Sequence, residues 1–150
     1  MDVLGVDPSL SRTGFAVLGP DALHTEVAET FSSMEIEERL MRIRQKLISV
    51  VASHPGIAIC SIEQPIAYRS GTTTINLGML QGVLRVAAYD LGLFVVSVNI
   101  ATAKKRATGD GRSGKAEMIA AARQMWGVDL SSGEADAAFI ALCGREMVEE

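Results

Sequence analysis

Four acidic residues stand at the ends of apolar segments, a placement that suits a metal site. Asp7 closes one apolar run, Glu63 closes another, and Glu134 and Asp136 open the apolar C-terminal segment. Mg²⁺ and Mn²⁺ take hard oxygen ligands, and a two-metal site holds its ions roughly 3.5 to 4 Å apart. If the fold brings these carboxylates together, the sequence predicts a divalent metal site suited to phosphodiester hydrolysis.

Three of these acids also have a purely structural interpretation. Asp7 precedes a proline and fits a turn, and Glu63 could simply lead a strand into solvent. Ser131 and Glu134 fit a capping box, with Ser131 as the N-cap and Glu134 at the third helical position. Taken singly, the structural interpretation is favoured, and the shared placement of all four at element ends favours function.

The composition indicates an intracellular globular chain. With 150 residues, 48% of them hydrophobic, residues 1–150 are expected to form one domain that buries about two thirds of its unfolded surface. No basic leader precedes an apolar core, and no apolar run is long enough to cross a bilayer, so we expect a cytoplasmic protein without membrane contact. Cys60 and Cys143 lie in apolar runs and are expected to be reduced core thiols.

Basic residues are concentrated in one stretch, although the net charge is −4. A basic patch beside an acidic metal pocket suits binding of a phosphodiester backbone. The alternative is that these residues only solvate an exposed helix face. The stretch from 99 to 128 holds Lys104, Lys105, Arg106, Arg112, Lys115 and Arg123, against Asp110 and Glu117.

Apolar periodicity predicts an α/β fold. A strand that follows the first long helix should lie parallel to the first strand, which would place Asp7 and Glu63 at the same sheet edge. Ser32 or Ser33 is the expected cap of that first helix, and Ser113 that of a later one. In chain order the predicted elements are strands at 2–7, 14–18 and 22–31, a helix from 33, a strand at 57–62, a helix at 74–91, a strand at 93–98, and helices at 101–108, 113–126 and from 131.

Two glycines lie one turn apart inside the helix predicted at 74–91. Gly78 and Gly82 each cost about 1 kcal/mol relative to alanine in a helix interior. A close approach of another backbone, either the sheet or a second subunit, would compensate for that cost.

Several motifs together resemble one known family. They are Leu4-Gly5-Val6-Asp7-Pro8-Ser9-Leu10 with Thr13-Gly14, then Ile62-Glu63-Gln64, then Leu77-Gly78 through Gly82, then Glu134-Ala135-Asp136-Ala137. The chain resembles a RuvC-type Holliday junction resolvase over nearly its whole length, and bacterial and phage-type members both fit. The resemblance implies a ribonuclease H-like fold, a mixed five-stranded sheet flanked by helices. It also implies a homodimer that cuts four-way DNA junctions with two Mg²⁺ or Mn²⁺ ions.

The resemblance also assigns roles to particular residues. Asp7, Glu63 and Asp136 match three metal ligands of the family, Lys104 and Lys115 match basic positions near the scissile phosphate, and the helix of Gly78 and Gly82 matches one used for dimer contact. The chain departs from the family at Gly133, where an acid or histidine is usual, and Glu134 one place later is the predicted fourth ligand. A second departure is Ile66 at the position of a base-stacking aromatic, with Tyr68 two residues on as its substitute. On this resemblance we expect Tyr68 and the adjacent Arg69 to contact DNA.

Three other functions compete with a structure-selective endonuclease. Gly109 to Lys115 spells the G-x-x-x-x-G-K of a nucleotide-binding loop, but a basic helix precedes it and Ala116 follows it, so no nucleotide cofactor is expected. The segment from Asp7 to Gly14 resembles the phosphate loop of sugar kinases and actin-like ATPases, which need two such domains. A non-catalytic branched-DNA-binding module of the same fold is the third.

Overall fold

A mixed sheet of five strands lies at the centre of the molecule. The computed structural model describes residues 1–150. The strand order is β3-β2-β1-β4-β5, with β1 antiparallel to β2 and parallel to β4, and β5 parallel to β4. This arrangement is the predicted mixed five-stranded sheet. The strands are β1 (Asp2–Asp7), β2 (Arg12–Leu18), β3 (Leu23–Glu29), β4 (Ile57–Glu63) and β5 (Phe94–Val98).

Helices cover both faces of the sheet. On one face α1 and α2 bury an apolar cluster that includes Leu4, Phe15, Leu47 and Leu84. On the other face α5 packs across the strands through small residues, and α3 and α4 pack against α5. The helices are α1 (Ile36–Ser53), α2 (Gly71–Asp90), α3 (Ile100–Thr108), α4 (Lys115–Trp126) and α5 (Ser132–Glu149).

Glycines in the sheet allow α5 to approach its backbone closely. A Cβ at Gly5 would lie 2.0 Å from the carbonyl oxygen of Ala137, and one at Gly14 would lie 2.3 Å from that of Gly133. Both distances are far below van der Waals contact, so only glycine permits this packing. The N-terminal turns of α5 are thereby held against the ends of β1 and β2.

Two predicted helix caps are wrong. α1 begins at Ile36, after a turn in which Met34 donates to the carbonyl of Phe31, so neither Ser32 nor Ser33 caps it. Ser113 does not cap α4, because its hydroxyl bonds to the carbonyl of Asp110 at 2.7 Å. α4 instead begins after Gly114, whose N–H donates to the Glu117 carboxylate at 2.6 Å. The capping box predicted at Ser131 and Glu134 is confirmed.

Two further features bear on the sequence predictions. Cys60 and Cys143 are free thiols buried in the interior, as predicted. None of the helices combines the length and the apolar character needed to cross a membrane.

Candidate active site

The carboxylates of Asp7 and Glu63 lie side by side at one edge of the sheet. They end β1 and β4, which are parallel neighbours with Val6 opposite Ile62 in register. The two side chains are in hydrogen-bonding contact. This is the carboxyl edge of the strands, where open α/β sheets place their ligands. The predicted convergence of these two residues is therefore present in the structure.

Asp136 faces the same two carboxylates from the second turn of α5. Its Oδ1 atom is buried and has no hydrogen-bond partner in the chain. Burial raises the pKa of Asp136 to about 6, against the opposing influence of Lys104 and Lys115. A buried oxygen without a partner is costly unless a cation or a donor occupies its free side.

Burial and like charge together perturb the carboxylate pair. Burial raises the pKa of Asp7 well above its ordinary value, and the negative charges of Asp136 and Glu63 raise it further. Burial also raises the pKa of Glu63, although its hydrogen bond with Asp7 acts in the opposite direction. Carboxyl groups held together in a buried place are self-repelling without a counterion. Perturbed groups of this kind concentrate at functional sites.

Two lysines supply positive charge to this cluster. Lys104 on α3 lowers the pKa of Asp7, Glu63 and Asp136, and Lys115 at the start of α4 lowers that of Asp136. Neither lysine forms an ion pair with a carboxylate within 4 Å. Both therefore lie near the carboxylates while keeping their ammonium groups free for an anion.

Glu134 does not join the cluster. Its Oε1 accepts hydrogen bonds from the Ser131 hydroxyl at 2.7 Å and the Ser131 N–H at 3.1 Å, and its Oε2 accepts one from Thr25 on β3 at 2.5 Å. Burial alone would raise the pKa of Glu134, but these bonds hold it below its ordinary value. Both carboxylate oxygens are committed to the cap and to β3. This arrangement favours the capping interpretation of Glu134, and its role as the fourth metal ligand stays a prediction.

The basic residues predicted to bind DNA have different environments. Arg106 pairs with Glu146 at 2.9 Å and is directed to α5, and Arg112 lies 3.8 Å from Asp110. Lys105 and Arg69 are exposed. Of the predicted basic residues, only Lys104 and Lys115 lower the pKa of carboxylates in the cluster.

An open cleft borders Glu63 on the side of α2. Its lining includes Pro65, Ile66, Tyr68 and Leu77, which are apolar or aromatic. Burial raises the pKa of Tyr68, and the charges of Glu63 and Asp7 add to that increase, so its hydroxyl lies close to the cluster. Tyr68 is 39% exposed. The phenol can therefore contact a molecule bound at the carboxylates.

Two residues of α2 that the sequence predictions missed hold Glu63 in place. The side-chain amide of Gln81 donates to the backbone carbonyl of Glu63 at 2.7 Å, and Arg85 donates to the same carbonyl at 3.3 Å. Arg85 also donates to Gln81 at 2.9 Å and to Ser97 on β5 at 2.9 Å. A glutamine and an arginine four residues apart on an otherwise apolar helix face were the sequence signal for this network.

The residues present fit a divalent cation. Asp7, Glu63 and Asp136 offer only carboxylate oxygens, the donors that Mg²⁺ and Mn²⁺ prefer, and the free Oδ1 of Asp136 lacks any other partner. No three acidic, histidine or cysteine side chains are already close enough to enclose an ion.

The G-x-x-x-x-G-K segment lacks the setting of a nucleotide loop. Gly109 ends α3 in a left-handed conformation, and Lys115 begins α4. The segment thus joins two helices, whereas a nucleotide loop joins a buried strand to a helix. Lys115 faces Asp136 from this position.

Comparisons with known proteins point to one family. The family model described as crossover junction endodeoxyribonuclease RuvC matches residues 3–144. The RuvC of Anaeromyxobacter sp. (strain K) is 34% identical over 149 residues, covering 95% of this chain and 80% of that protein. The RuvC of Rickettsia prowazekii is 32% identical over 152 residues, covering 94% of each.

Solved structures share the whole fold. Thermus thermophilus RuvC in complex with a Holliday junction substrate superposes with a TM-score of 0.83 at 26% identity, covering 99% of this chain and 96% of that one. The fowlpox virus resolvase, solved with substrate Holliday junction DNA, superposes with a TM-score of 0.61 at 10% identity, which shows the fold alone.

Proposed function

Because the chain belongs to the RuvC family of crossover junction endodeoxyribonucleases, we propose that it is a metal-dependent endonuclease that resolves four-way DNA junctions. The observation that carries the proposal is that Asp7, Glu63 and Asp136 face one another at one sheet edge, beside two lysines that have no ion-pair partner. The carboxylates can bind divalent cations, and the lysine ammonium groups can bind the negatively charged phosphate.

The three carboxylates would hold two Mg²⁺ or Mn²⁺ ions. Bound ions supply Lewis-acid stabilisation of the phosphate and lower the pKa of the attacking water. Asp7, Glu63 and Asp136 would bind and orient these ions. Lys104 and Lys115 would bind the phosphate oxygens and neutralise their charge during hydrolysis. The raised pKa values support this assignment, because a cation would relieve the repulsion that produces part of them.

Tyr68 would contact DNA at the rim of this site. Its ring lines the apolar cleft next to Glu63 together with Ile66 and Leu77. An aromatic ring in such a place can stack on an unpaired base near the cut, with a contribution of about 1 to 3 kcal/mol per base. Arg69, Lys105 and Arg112 would add contacts to the DNA backbone farther from the cut.

The enzyme would act as a homodimer through the outer face of α2. A Cβ added at Gly78 or at Gly82 would meet no atom within 4 Å. The chain's own sheet therefore does not pack closely against these glycines, and the prediction that it would do so is wrong. Met79 and Val86 are exposed beside them and line an open groove. A second copy packed here would bury the groove and place two sites on one junction.

Sedimentation with two substitutions at one position tests the dimer. Because Gly82 faces open space, Gly82→Leu should keep the fold of each chain and prevent close packing of two helices. Gly82→Ala is the matched control and should remain dimeric. A wild-type chain that sediments as a monomer at micromolar concentration with junction DNA present would overturn the dimer.

A panel of labelled DNAs tests the activity itself. Four-way junctions, three-way junctions, flaps and linear duplexes of matched sequence should be incubated with Mg²⁺, with Mn²⁺ and with EDTA. We expect paired nicks in the four-way junction with either metal and none with EDTA. Tight junction binding without cutting under every metal condition would identify a non-catalytic binding module instead.

A further inference from the structure

A second cleft lies next to the carboxylate site, on the side of the turn between β1 and β2. It is an open cleft of about 320 Å³ that lies between that turn, the segment after β3 and the first turns of α1 and α2. Its lining residues are mostly hydroxyl-bearing or amide-bearing, with one cation and no acid. They are Ser9, Leu10, Ser11, Ser32, Arg39, Thr73, Asn76 and Leu77.

Arg39 is the cation of this cleft, and its position is fixed. Its Nε donates to the Thr30 hydroxyl at 2.8 Å, which fixes the guanidinium at one point. No carboxylate lies within ion-pair distance of it, unlike Arg12, which is paired with Glu29, and Arg42, which is paired with Glu38. A half-buried guanidinium that is held in place but has no anionic partner is suited to bind an external anion.

The other lining groups add neutral donors of the kind that phosphate oxygens accept. Ser11, Ser32 and Thr73 carry hydroxyl groups and Asn76 carries an amide, and all four belong to the cleft wall. A wall without carboxylates is notable in a chain with a net charge of −4. The cleft therefore combines one positive charge with several neutral donors, which is the composition of a phosphate contact.

The cleft adjoins the one beside Glu63. Leu77 lines both this cleft and the one beside Glu63. Pro8 lines the cleft beside Glu63, and the next residue, Ser9, lines this one. In the same way, Thr74 lines the cleft beside Glu63, and the residue before it, Thr73, lines this one. A nucleic acid strand that left the carboxylates along the start of α2 would reach this cleft next.

We propose that this cleft binds a backbone phosphate of the DNA strand that runs out of the active site, with Arg39 as the charged contact. The contact positions the DNA and carries no base specificity. The proposal rests on the proposed function, since it assigns a further part of the same substrate. It adds one phosphate contact per site to those of Lys104 and Lys115.

The salt dependence of junction binding tests this contact. Fluorescence anisotropy in EDTA measures binding without cutting. Each lost phosphate contact should lower the slope of log affinity against log salt by about 0.9, so the loss of one contact at each of the two sites of the proposed homodimer should lower it by about 1.8. Arg39→Gln should show this change, with an affinity loss of about tenfold or more at low salt. Arg42→Gln is the matched control, because Arg42 lies on the same helix and is paired with Glu38 at 3.0 Å.

A second variant separates a lost contact from a weakened fold. Arg39→Gln also removes the bond to Thr30, whereas Asn76→Asp leaves that bond intact and places a negative charge in the cleft. Asn76→Asp should weaken junction binding at an unchanged melting temperature. If both variants bind with the wild-type affinity and salt slope, the cleft does not bind phosphate, even if the wild type still cuts junctions. If the wild type binds the junction through Arg39 but never cuts it, the proposed nuclease function is wrong, whereas the assignment of the cleft as a phosphate-binding site stands.

Discussion

The side-chain amide of Gln81 donates a 2.7 Å hydrogen bond to the backbone carbonyl of Glu63, the last residue of β4. Arg85 reaches the same carbonyl, so helix α2 fixes the point from which the Glu63 carboxylate projects. The outer face of the same helix carries Gly78 and Gly82. Helix α2 therefore connects the proposed dimer face directly to the proposed metal site.

Loss of the Gln81 contact should weaken metal binding. Gln81→Met leaves the size of the side chain nearly unchanged and removes the donor to Glu63. We expect the affinity for Mn²⁺ to fall by about 10-fold to 100-fold, the usual effect of removing a partner that orients a ligand. Titration calorimetry with Mn²⁺ measures this, and Gln45→Met, at an exposed position of α1, is the control. An unchanged Mn²⁺ affinity in Gln81→Met would show that the contact does not position Glu63.

The metal-free protein should become more stable when Asp136 loses its charge. Its pKa is raised from 3.8 to about 6 on folding. Below pH 3.8 the group is protonated in both the folded and the unfolded state and does not destabilise the fold. As the pH rises through 6 the folded protein must hold the charged carboxylate, and the free energy of unfolding falls. At about 1.4 kcal/mol per pH unit the destabilisation at pH 7.5 is on the order of 3 kcal/mol.

The pH profile of thermal unfolding checks the Asp136 prediction. Asp136→Asn should raise the melting temperature in EDTA at pH 7.5 and should change it little at pH 4. Added Mg²⁺ should stabilise the wild type at pH 7.5 and should not stabilise the variant to the same extent. A lower melting temperature for Asp136→Asn at pH 7.5 would contradict the assignment of a repelled carboxylate.

Position 133 offers a way to add a ligand. A Cβ there would lie 3.7 Å from Oδ2 of Asp7, in ordinary contact, so Gly133→Asp should fold. Without metal its charge should lower the melting temperature through repulsion of Asp7. With Mn²⁺ it should increase the affinity, since hard cations bind more tightly as carboxylates are added. Gly133→Asn is the control that matches its shape, and equal Mn²⁺ affinity in the two variants would contradict this prediction.

Glu134 should be dispensable for cutting. Glutamine also serves at the third position of a capping box, so Glu134→Gln should keep most of the cleavage rate. Its cost should appear in stability, about 0.5 to 2 kcal/mol for weakening the bonds to Ser131 and Thr25. Parallel measurement of cleavage rate and melting temperature checks both parts. A loss of cleavage by orders of magnitude at full stability would restore Glu134 as a ligand.

Local patterns predicted the strands and most helices, together with Asp7 and Glu63 at one edge. Those follow from apolar periodicity and from the parallel pairing that a crossover helix imposes. The role of Glu134 could not be decided from the sequence, because the same residue satisfies a capping box and a ligand spacing. The Thr25 contact that favours the cap spans 109 residues. The bond between Gln81 and Glu63 is likewise a tertiary contact, visible only when α2 lies on β4.

Cleavage of a four-way junction by Asp7→Asn tests whether the carboxylate cluster is the catalytic metal site. Wild type, Asp7→Asn and the exposed control Asp21→Asn should be compared on one labelled junction in Mg²⁺, with binding measured separately in EDTA. Asp7→Asn should bind the junction at least as tightly as the wild type and lose cleavage by orders of magnitude, while Asp21→Asn cuts normally. Near-normal cutting by Asp7→Asn with binding intact would show that the carboxylate cluster is not the catalytic metal site.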